Sequence, residues 1–370
     1  MFDVVALGEL LIDFVESGSS TAGTPLFEAN PGGSPCNVLA MLSRLGYLTA
    51  FIGKAGEDSV GRMLGKTIRE IGISDEGLIY DRNVNTTLAL VHTLPGGNRD
   101  FSFYRKPGAD IMLTEKEMNR ELIDACRVFH FGSLSLTNES AATATKAAVA
   151  YAKSKGKRIS FAPNLREPLW ESEEQAKKAI WYGIGECDVL KIADHEIKWL
   201  TEKEDYDEGV QMIKERSNVK LINVTLGNEG SLAYYMDQNV YGKPFLSDRT
   251  VDMAGAGDAF CGCVLAFLLE HGLDGLTAAD LESMLSFANA AASIVTTRKG
   301  VICSMPDREE IGALLANYRQ EGEEPKVAKS FDIMLGSVDK VKAFVNDMSK
   351  IEGDVFLCVG KYVIDAKSIM

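Results

Sequence analysis

Gly255, Ala256, Gly257 and Asp258 stand immediately before an apolar run over residues 259–269. A helix that begins there leaves its first backbone N–H groups without intrahelical partners and aims its dipole at one point, which favours anions. Asp258, in the first turn, is placed to take a proton from a hydroxyl while the neighbouring N–H groups hold charge developing on a phosphoryl oxygen. A base and an anion hole in one stretch point to phosphoryl transfer. Glycines before an apolar helix are also ordinary turn chemistry, with Asp258 merely favouring the helix start, so the assignment depends on partners elsewhere in the chain.

Those partners are spread along the sequence. Asp13 lies at the edge of an extended segment, where a carboxylate accepts hydrogen bonds from two sugar hydroxyls or simply remains a solvated charge. Segment 30–37, NPGGSPCN, precedes a helical pattern over 38–45; Gly32 and Gly33 let backbone approach a ligand, and Asn37 both donates and accepts. A second glycine-rich turn, GKAGEDSVG over 53–61, follows a strand at 49–52 and leads into a helix over 60–70. Asn164 and Arg166 follow one expected strand, Glu196 another, and Thr225, Gly227 and Gly230 a third. Arg166 would neutralise a transferring phosphate bidentately. Asn289 lies among small residues over 288–297, which leave room beside a flat base and explain tight helix packing equally well.

Some chemistry is excluded. GRMLGKT over 61–67 falls one residue short of the P-loop spacing and sits in helical periodicity, so a Walker-type ATPase is rejected; no GxGxxG fingerprint is present. His92, His130, His195 and His271 lack ligand spacing and are expected in core or surface roles. The seven cysteines are scattered without a CxxC pair, which suits reduced thiols in a cytoplasm. A net charge of −14 repels nucleic acid and acidic membrane surfaces, so an anionic substrate needs locally placed Arg and Lys. No apolar run approaches the ~20 residues that span a bilayer, and Asp3, Glu9 and Asp13 interrupt any reading of the start as a signal peptide. With 46% hydrophobic and 25% charged residues over 370 positions, the expectation is one large α/β domain plus an appendage.

The elements that must position these residues follow from periodicity. Residues 3–7 form a buried strand, and 88–94 with 100–104 flank a PGGN turn as a hairpin. With the extended segment after Asp13, this hairpin makes either a small lid sheet carrying Phe101, Phe103 and Arg105 or an ordinary edge hairpin. Thr114 and Glu117 form a capping box, expected to open a helix. Strands at 127–131, 158–161, 189–192 and 220–225 alternate with helices at 139–155, 173–182, 195–200 and 208–215. That βα order implies a mainly parallel sheet covered by helices on both faces, with ligands at the carboxyl ends of its strands.

PGGSPCN, GKAGEDSVG, FSFYRKPGAD, PNLR, TLGNEG and DMAGAGDAF occur in an order that resembles the ribokinase-like, PfkB-type carbohydrate kinases, and within them fructokinase, over about residues 1–318. The resemblance implies a ribokinase-like α/β fold with a small β-sheet lid, drawn from about 11–30 and 86–106 of a kinase domain spanning 1–320. It implies that Asp258 deprotonates a sugar hydroxyl and that Gly255, Ala256 and Gly257 form the anion hole. Sugar contacts are implied at Asp13, Gly32, Gly33 and Asn37, with lid contacts at Phe103 and Arg105. Asn164, Arg166, Thr225, Gly227, Gly230 and Asn289 match nucleotide-side positions. ATP carries Mg2+ on its phosphates, arranged through water by Glu196, and a monovalent cation such as K+ is a further expectation. A homodimer through the lid is also expected. Four departures bear on ion handling: Ala162 where the family has the Asp of DPN, Ala193 at the Asn of NxxE, and Met253 and Ala254 before GAGD.

Residues 321–330 read as a charged linker, and 331–370 resemble the first half of an HPr-type phosphocarrier domain, most clearly in GKYVIDAKSIM. That family's phosphorylated histidine would fall near Ser337, yet the segment holds no histidine, which makes it a docking or regulatory appendage rather than a carrier. The favoured function is ATP-dependent phosphorylation of a hexose, foremost the 6-hydroxyl of fructose. A kinase for 2-keto-3-deoxygluconate, whose carboxylate Arg105 would meet, or for a nucleoside stays open, as does a degenerate, sugar-binding regulatory protein.

Overall fold

The computed structural model describes residues 1–93, 99–321, 356–359 and 362–365. The chain divides into two units, Met1–Leu315 and Ala316–Met370. The first begins with strands β1 (Phe2–Leu7), β2 (Leu11–Ser19) and β3 (Pro25–Gly32), then α1 (Ser34–Arg44), β4 (Thr49–Gly56), α2 (Ser59–Glu70), β5 (Ile73–Asp81), β6 (Leu88–Thr93) and β7 (Arg99–Tyr104). After the short α3 (Arg120–Asp124), strands and helices alternate through β8 (Cys126–Gly132), α4 (Glu139–Ser154), β9 (Arg158–Ala162), α5 (Glu173–Glu186), β10 (Val189–Ala193), α6 (Asp194–Thr201), α7 (Tyr206–Arg216) and β11 (Leu221–Thr225). An antiparallel pair, β12 (Ser231–Tyr235) and β13 (Gln238–Gly242), precedes α8 (Ala256–His271), α9 (Ala278–Thr296) and α10 (Arg308–Glu321).

Nine strands form the main sheet in the order β13-β12-β11-β10-β9-β8-β1-β4-β5, parallel from β11 to β5. Its strands are short apolar runs because both faces are covered. Along β1, Val4 and Ala6 join the layer containing α1, α8 and α9, while Val5 and Leu7 turn to the layer of α4 to α7. Helix α8 is apolar nearly all round, with every residue from Asp258 to Ala266 buried, and it lies inside that first layer rather than on its surface. All three tryptophans, Trp170, Trp181 and Trp199, pack against the second layer.

A separate four-stranded sheet, in the order β3-β2-β6-β7, contains the expected hairpin. Its PGGN turn and the side chain of Phe101 lie outside the described residues. Strand β3 was not expected, because PLFEANPG carries two prolines and a run of exposed residues; it forms as an edge strand, where proline is tolerated. Strand β5 pairs beside β4, and its sequence ISDEGLIYD hides the alternation behind three acidic residues. Helix α9 starts ten residues before the expected 288, capped by Thr277 and Asp280. The Thr114–Glu117 capping box closes a single 3-10 turn instead of opening a helix; α3 begins only after its own cap, Asn119. GRMLGKT lies wholly within α2. In the second unit, Phe356–Val359 and Tyr362–Asp365 pair antiparallel. Ser337 and most of the HPr-like stretch lie outside the described residues.

Candidate active site

Asp258 is the third residue of α8, only 9% exposed, and side chains from distant parts of the chain meet on its carboxylate. Ser34 Oγ donates to Oδ1 at 2.7 Å, Asn37 Nδ2 to Oδ2 at 2.7 Å, and Asn164 Nδ2 to Oδ1 at 3.2 Å. Asn164 Nδ2 also reaches Ser34 Oγ at 2.5 Å. Three donors on one carboxylate fix its orientation. The loop before α1 makes this convergence possible. Gly33 has φ 126°, and a Cβ there would lie 2.3 Å from the Glu9 carbonyl, so only glycine lets the chain turn from β3 into α1. At Gly32 a Cβ would lie 3.0 Å from Asp13 Oδ2, which places the Asp13 carboxylate two residues from Ser34.

The start of α8, where an anion hole is expected, is built the same way. Gly255 caps α8 at φ 76°, where a Cβ would lie 2.1 Å from Val301 Cγ1. Ala256 and Gly257 follow as the first two helical residues, so their N–H groups have no carbonyl one turn back. Across the small sheet, Asn30, Asp13, Ala89 and Phe103 occupy one row, through the pairings Asp13↔Asn30, Asp13↔Ala89 and Ala89↔Phe103. Residues in one row of a sheet share a face, so Asp13 and Phe103 point the same way.

At the carboxyl ends of β9 to β11, Asn164 and Arg166 both take left-handed backbone, φ 49° and 47°. Such conformations are costly for Arg and persist where surrounding structure imposes them, frequently at functional sites. Thr225 ends β11 half-buried, and Gly227, φ 59°, opens the exposed turn beyond it. A Cβ on Gly227 would meet nothing within 4 Å, whereas one on Gly230 would lie 2.2 Å from the Gly242 carbonyl. Gly230 thus serves packing between two backbone segments.

Three residues expected to contact ligand or metal have hydrogen-bond partners within the protein. Arg105 does not project from the lid: it is 6% exposed, with Nε and Nη2 on Asp110 Oδ2 at 2.8 and 2.6 Å, Nη1 on Thr137 Oγ1 and Nη2 on the Leu134 carbonyl. Four of its five N–H donors are used within the protein. Glu196 is a backbone fastener, accepting from Leu165 N–H and Ala193 N–H at 2.8 Å each, which joins the loop after β9 to the start of α6. Ala193 caps α6 without a side-chain acceptor, so Glu196 supplies the reciprocal half of the capping box alone. Asn289 accepts from Ser231 Oγ and donates to the Lys243 carbonyl, both at 3.0 Å, tying α9 to β12 and the end of β13. A buried amide with two partners in place is more a clamp than a ligand contact.

Other residues emerge from the geometry. Ser34 is legible afterwards as the residue one helical turn before Asn37, on the same face. Glu9 is wholly buried and accepts from Ser34 N–H at 2.7 Å; burial, opposed by its backbone hydrogen bonds, pushes its carboxyl up to about 7. Its neighbours Arg105 and Asp110 act in opposite senses on it. Lys191, a charge inside the apolar strand VLKIA, reaches toward Gly257. Beside it, the hydrogen bond from His195 holds Asp194 below the usual carboxylate range, and Asp194 in turn raises His195. His130 is buried on β8 and burial drives it down to about 3, so it stays a neutral core imidazole.

The model of the pfkB family carbohydrate kinases matches residues 1–308. Fructokinase-1 of Zea mays is 41% identical over 84% of this chain and 97% of its own length. Among solved structures, fructokinase from Xylella fastidiosa with bound ATP superposes with TM-score 0.77 and 27% identity, covering 86% of this chain and all of that one. Fructokinase from Vibrio cholerae O395, solved with fructose, ADP and a calcium ion, gives 0.76 and 28%, over 85% of this chain and 99% of that one.

Proposed function

The chain belongs to the pfkB family of carbohydrate kinases, and we propose that it transfers the γ-phosphate of ATP to fructose, giving fructose 6-phosphate, with Asp258 as the base. The observation that carries this reading is the meeting of Ser34, Asn37 and Asn164 on Asp258 beside the glycine-capped start of α8. Fructose lies on the floor made by Gly32 and Gly33, held by Asp13 and covered by Phe103. Its 6-hydroxyl displaces one donor from Asp258 and passes its proton to the carboxylate as its oxygen bonds to the γ-phosphorus. The bond from phosphorus to the bridging oxygen breaks, and ADP leaves with that electron pair. The N–H groups of Gly255, Ala256 and Gly257 hold charge on the transferring group, and Arg166 faces the nucleotide phosphates with Asn164, Thr225 and Gly227.

The residues present fit a magnesium ion carried mainly by nucleotide and water. Among the described residues no cluster of three metal-binding side chains exists, and each Glu196 oxygen keeps a lone pair beyond its amide bond. Glu196 would hold the ion through water, and the ion supplies neutralisation of phosphate charge. A monovalent cation such as K+ would rest on Asp252 and backbone carbonyls, because Met253 and Ala254 bring no side-chain oxygen.

Arg105, spent on Asp110, takes away the support for an acid sugar such as 2-keto-3-deoxygluconate, and the intact base and anion hole speak against a degenerate regulatory protein. Among the described residues no helix is long and apolar enough to cross a membrane; a cytoplasmic location and a homodimer through the small sheet belong to the same proposal. ADP release measured over a panel of sugars tests the substrate, with fructose expected to give the highest kcat/KM. Asp258→Asn should keep fructose and ATP binding while turnover falls by roughly 10²- to 10⁴-fold; wild-type turnover in that variant would sink the assignment.

A further inference from the structure

Burying an ammonium is costly unless a carboxylate or a set of acceptors receives it. Lys54 shows the usual solution: 5% exposed, it meets Asp81 at 3.1 Å, Glu117 at 2.7 Å and the Met112 carbonyl at 3.2 Å. Lys191 is 7% exposed and has no such partner, neither hydrogen bond nor carboxylate within 4 Å, among the described residues. Leu190 and Ile192 face the layer of α4 to α7, so the alternation of β10 turns Lys191 toward α8. There its Nζ and Cε stand 2.9 and 3.4 Å from where a Cβ on Gly257 would be. The flanking strands offer no counter-charge. Asn223 of β11 is its register partner, and continuing the pairing Leu190↔Phe161 by one residue puts Ala162 of β9 level with it.

A buried, unpartnered cation at the mouth of an anion hole lacks the negative group that it is built to meet. We infer that the Lys191 ammonium contacts the transferring phosphoryl group of ATP within the hole formed by Gly255, Ala256 and Gly257, an inference that rests on the phosphoryl-transfer reading above. Lys191 takes no part in the proton transfer: the sugar proton still goes to Asp258, and the electron pair of the broken P–O bond still leaves on ADP. The lysine strengthens as charge spreads over the phosphoryl oxygens, so its contribution falls on turnover rather than on sugar binding.

Lys191→Met keeps the length of the side chain, removes the charge and strands no carboxylate. The variant is expected to lose roughly 10²- to 10³-fold in kcat, with fructose affinity unchanged and the melting temperature of the ligand-free protein equal to or above wild type. Lys191→Arg should recover at least part of that loss. A complex of ADP, fructose and fluoroaluminate, which imitates the transferring group, should form on the wild type and fail on Lys191→Met by calorimetry. Turnover of Lys191→Met equal to wild type would overturn the proposal. So would a loss matched by weaker fructose binding and a lower melting temperature, with the fluoroaluminate complex intact. Wild-type protein that releases no ADP with any sugar would instead remove the phosphoryl-transfer reading itself, and this one with it.

Discussion

Burial pushes the Glu9 carboxyl up to about 7, because its own backbone N–H, the Ser34 amide and the Arg105 charge only partly offset the loss of water, and its Oε2 has no partner among the described residues. The folded protein therefore holds a proton on Glu9 over a pH range in which an unfolded chain, near 4.5, has released it. Stability tied to this group is fully present below about pH 4.5, declines as pH rises toward 7 and stays low above. The displacement corresponds to about 3 kcal/mol. Glu9→Gln should consequently exceed wild type by up to that amount at pH 8 and lose its advantage near pH 5, measured as denaturant midpoints of the two proteins side by side. A difference independent of pH across that interval would refute the assignment. At this scale Asp258, Asn37 and the glycines stand out in the sequence as candidates, because special backbone with a carboxylate beside it leaves a local signature. It could not announce Ser34 or Lys191 as members of the same site, since their roles arise from contacts across more than 60 residues of chain. Arg105 shows the opposite error: a cation at a lid edge looked available, and only the fold supplies Asp110, Thr137 and Leu134 around it.

The elements were legible wherever burial and period agreed. Strands β1, β8, β9, β10 and β11 are short apolar runs and matched their expected limits within about two residues. Edge strands β3, β5 and β13 escaped notice because one exposed face lets polar residues and proline intrude on the alternation. Two element junctions now support direct tests. Gly255→Ala would force an alanine into φ 76° and against Val301, so it should destabilise the protein by about 1–3 kcal/mol. Turnover should fall further than stability accounts for, because the first turn of α8 moves with it; unfolding midpoints and kcat together check this, and unchanged kcat would oppose the anion-hole role. The small sheet should behave as a cover. Asp13 and Phe103, which share one row of it, are proposed to close on the sugar, so amide exchange in β2 and β6 should slow when fructose is added. Exchange that ignores saturating fructose would leave the sheet as an edge ornament.

At the scale of the molecule, the division at Leu315 and Ala316 separates a kinase unit from the segment that follows. Each site residue considered above lies in the first unit, and removing residues 322–370 should leave fructose phosphorylation within roughly two-fold of the whole chain. Collapse of activity in the shortened protein would show that the segment completes the kinase. The two apolar layers also set what a spectrometer can observe. Trp170, Trp181 and Trp199 all belong to the layer of α4 to α7, whereas Asp258, α1 and α8 lie across the sheet. Tryptophan emission is therefore a gauge set in one layer: it follows the melting of that layer and, through Trp170 Nε1 on the Leu165 carbonyl, the loop that carries Asn164 and Arg166, whereas all three tryptophans lie outside the layer of α1 and α8. Denaturant curves recorded by emission and by residual turnover will superimpose if the shared sheet makes both layers melt together, and a separation between them would time the loss of each side of the molecule.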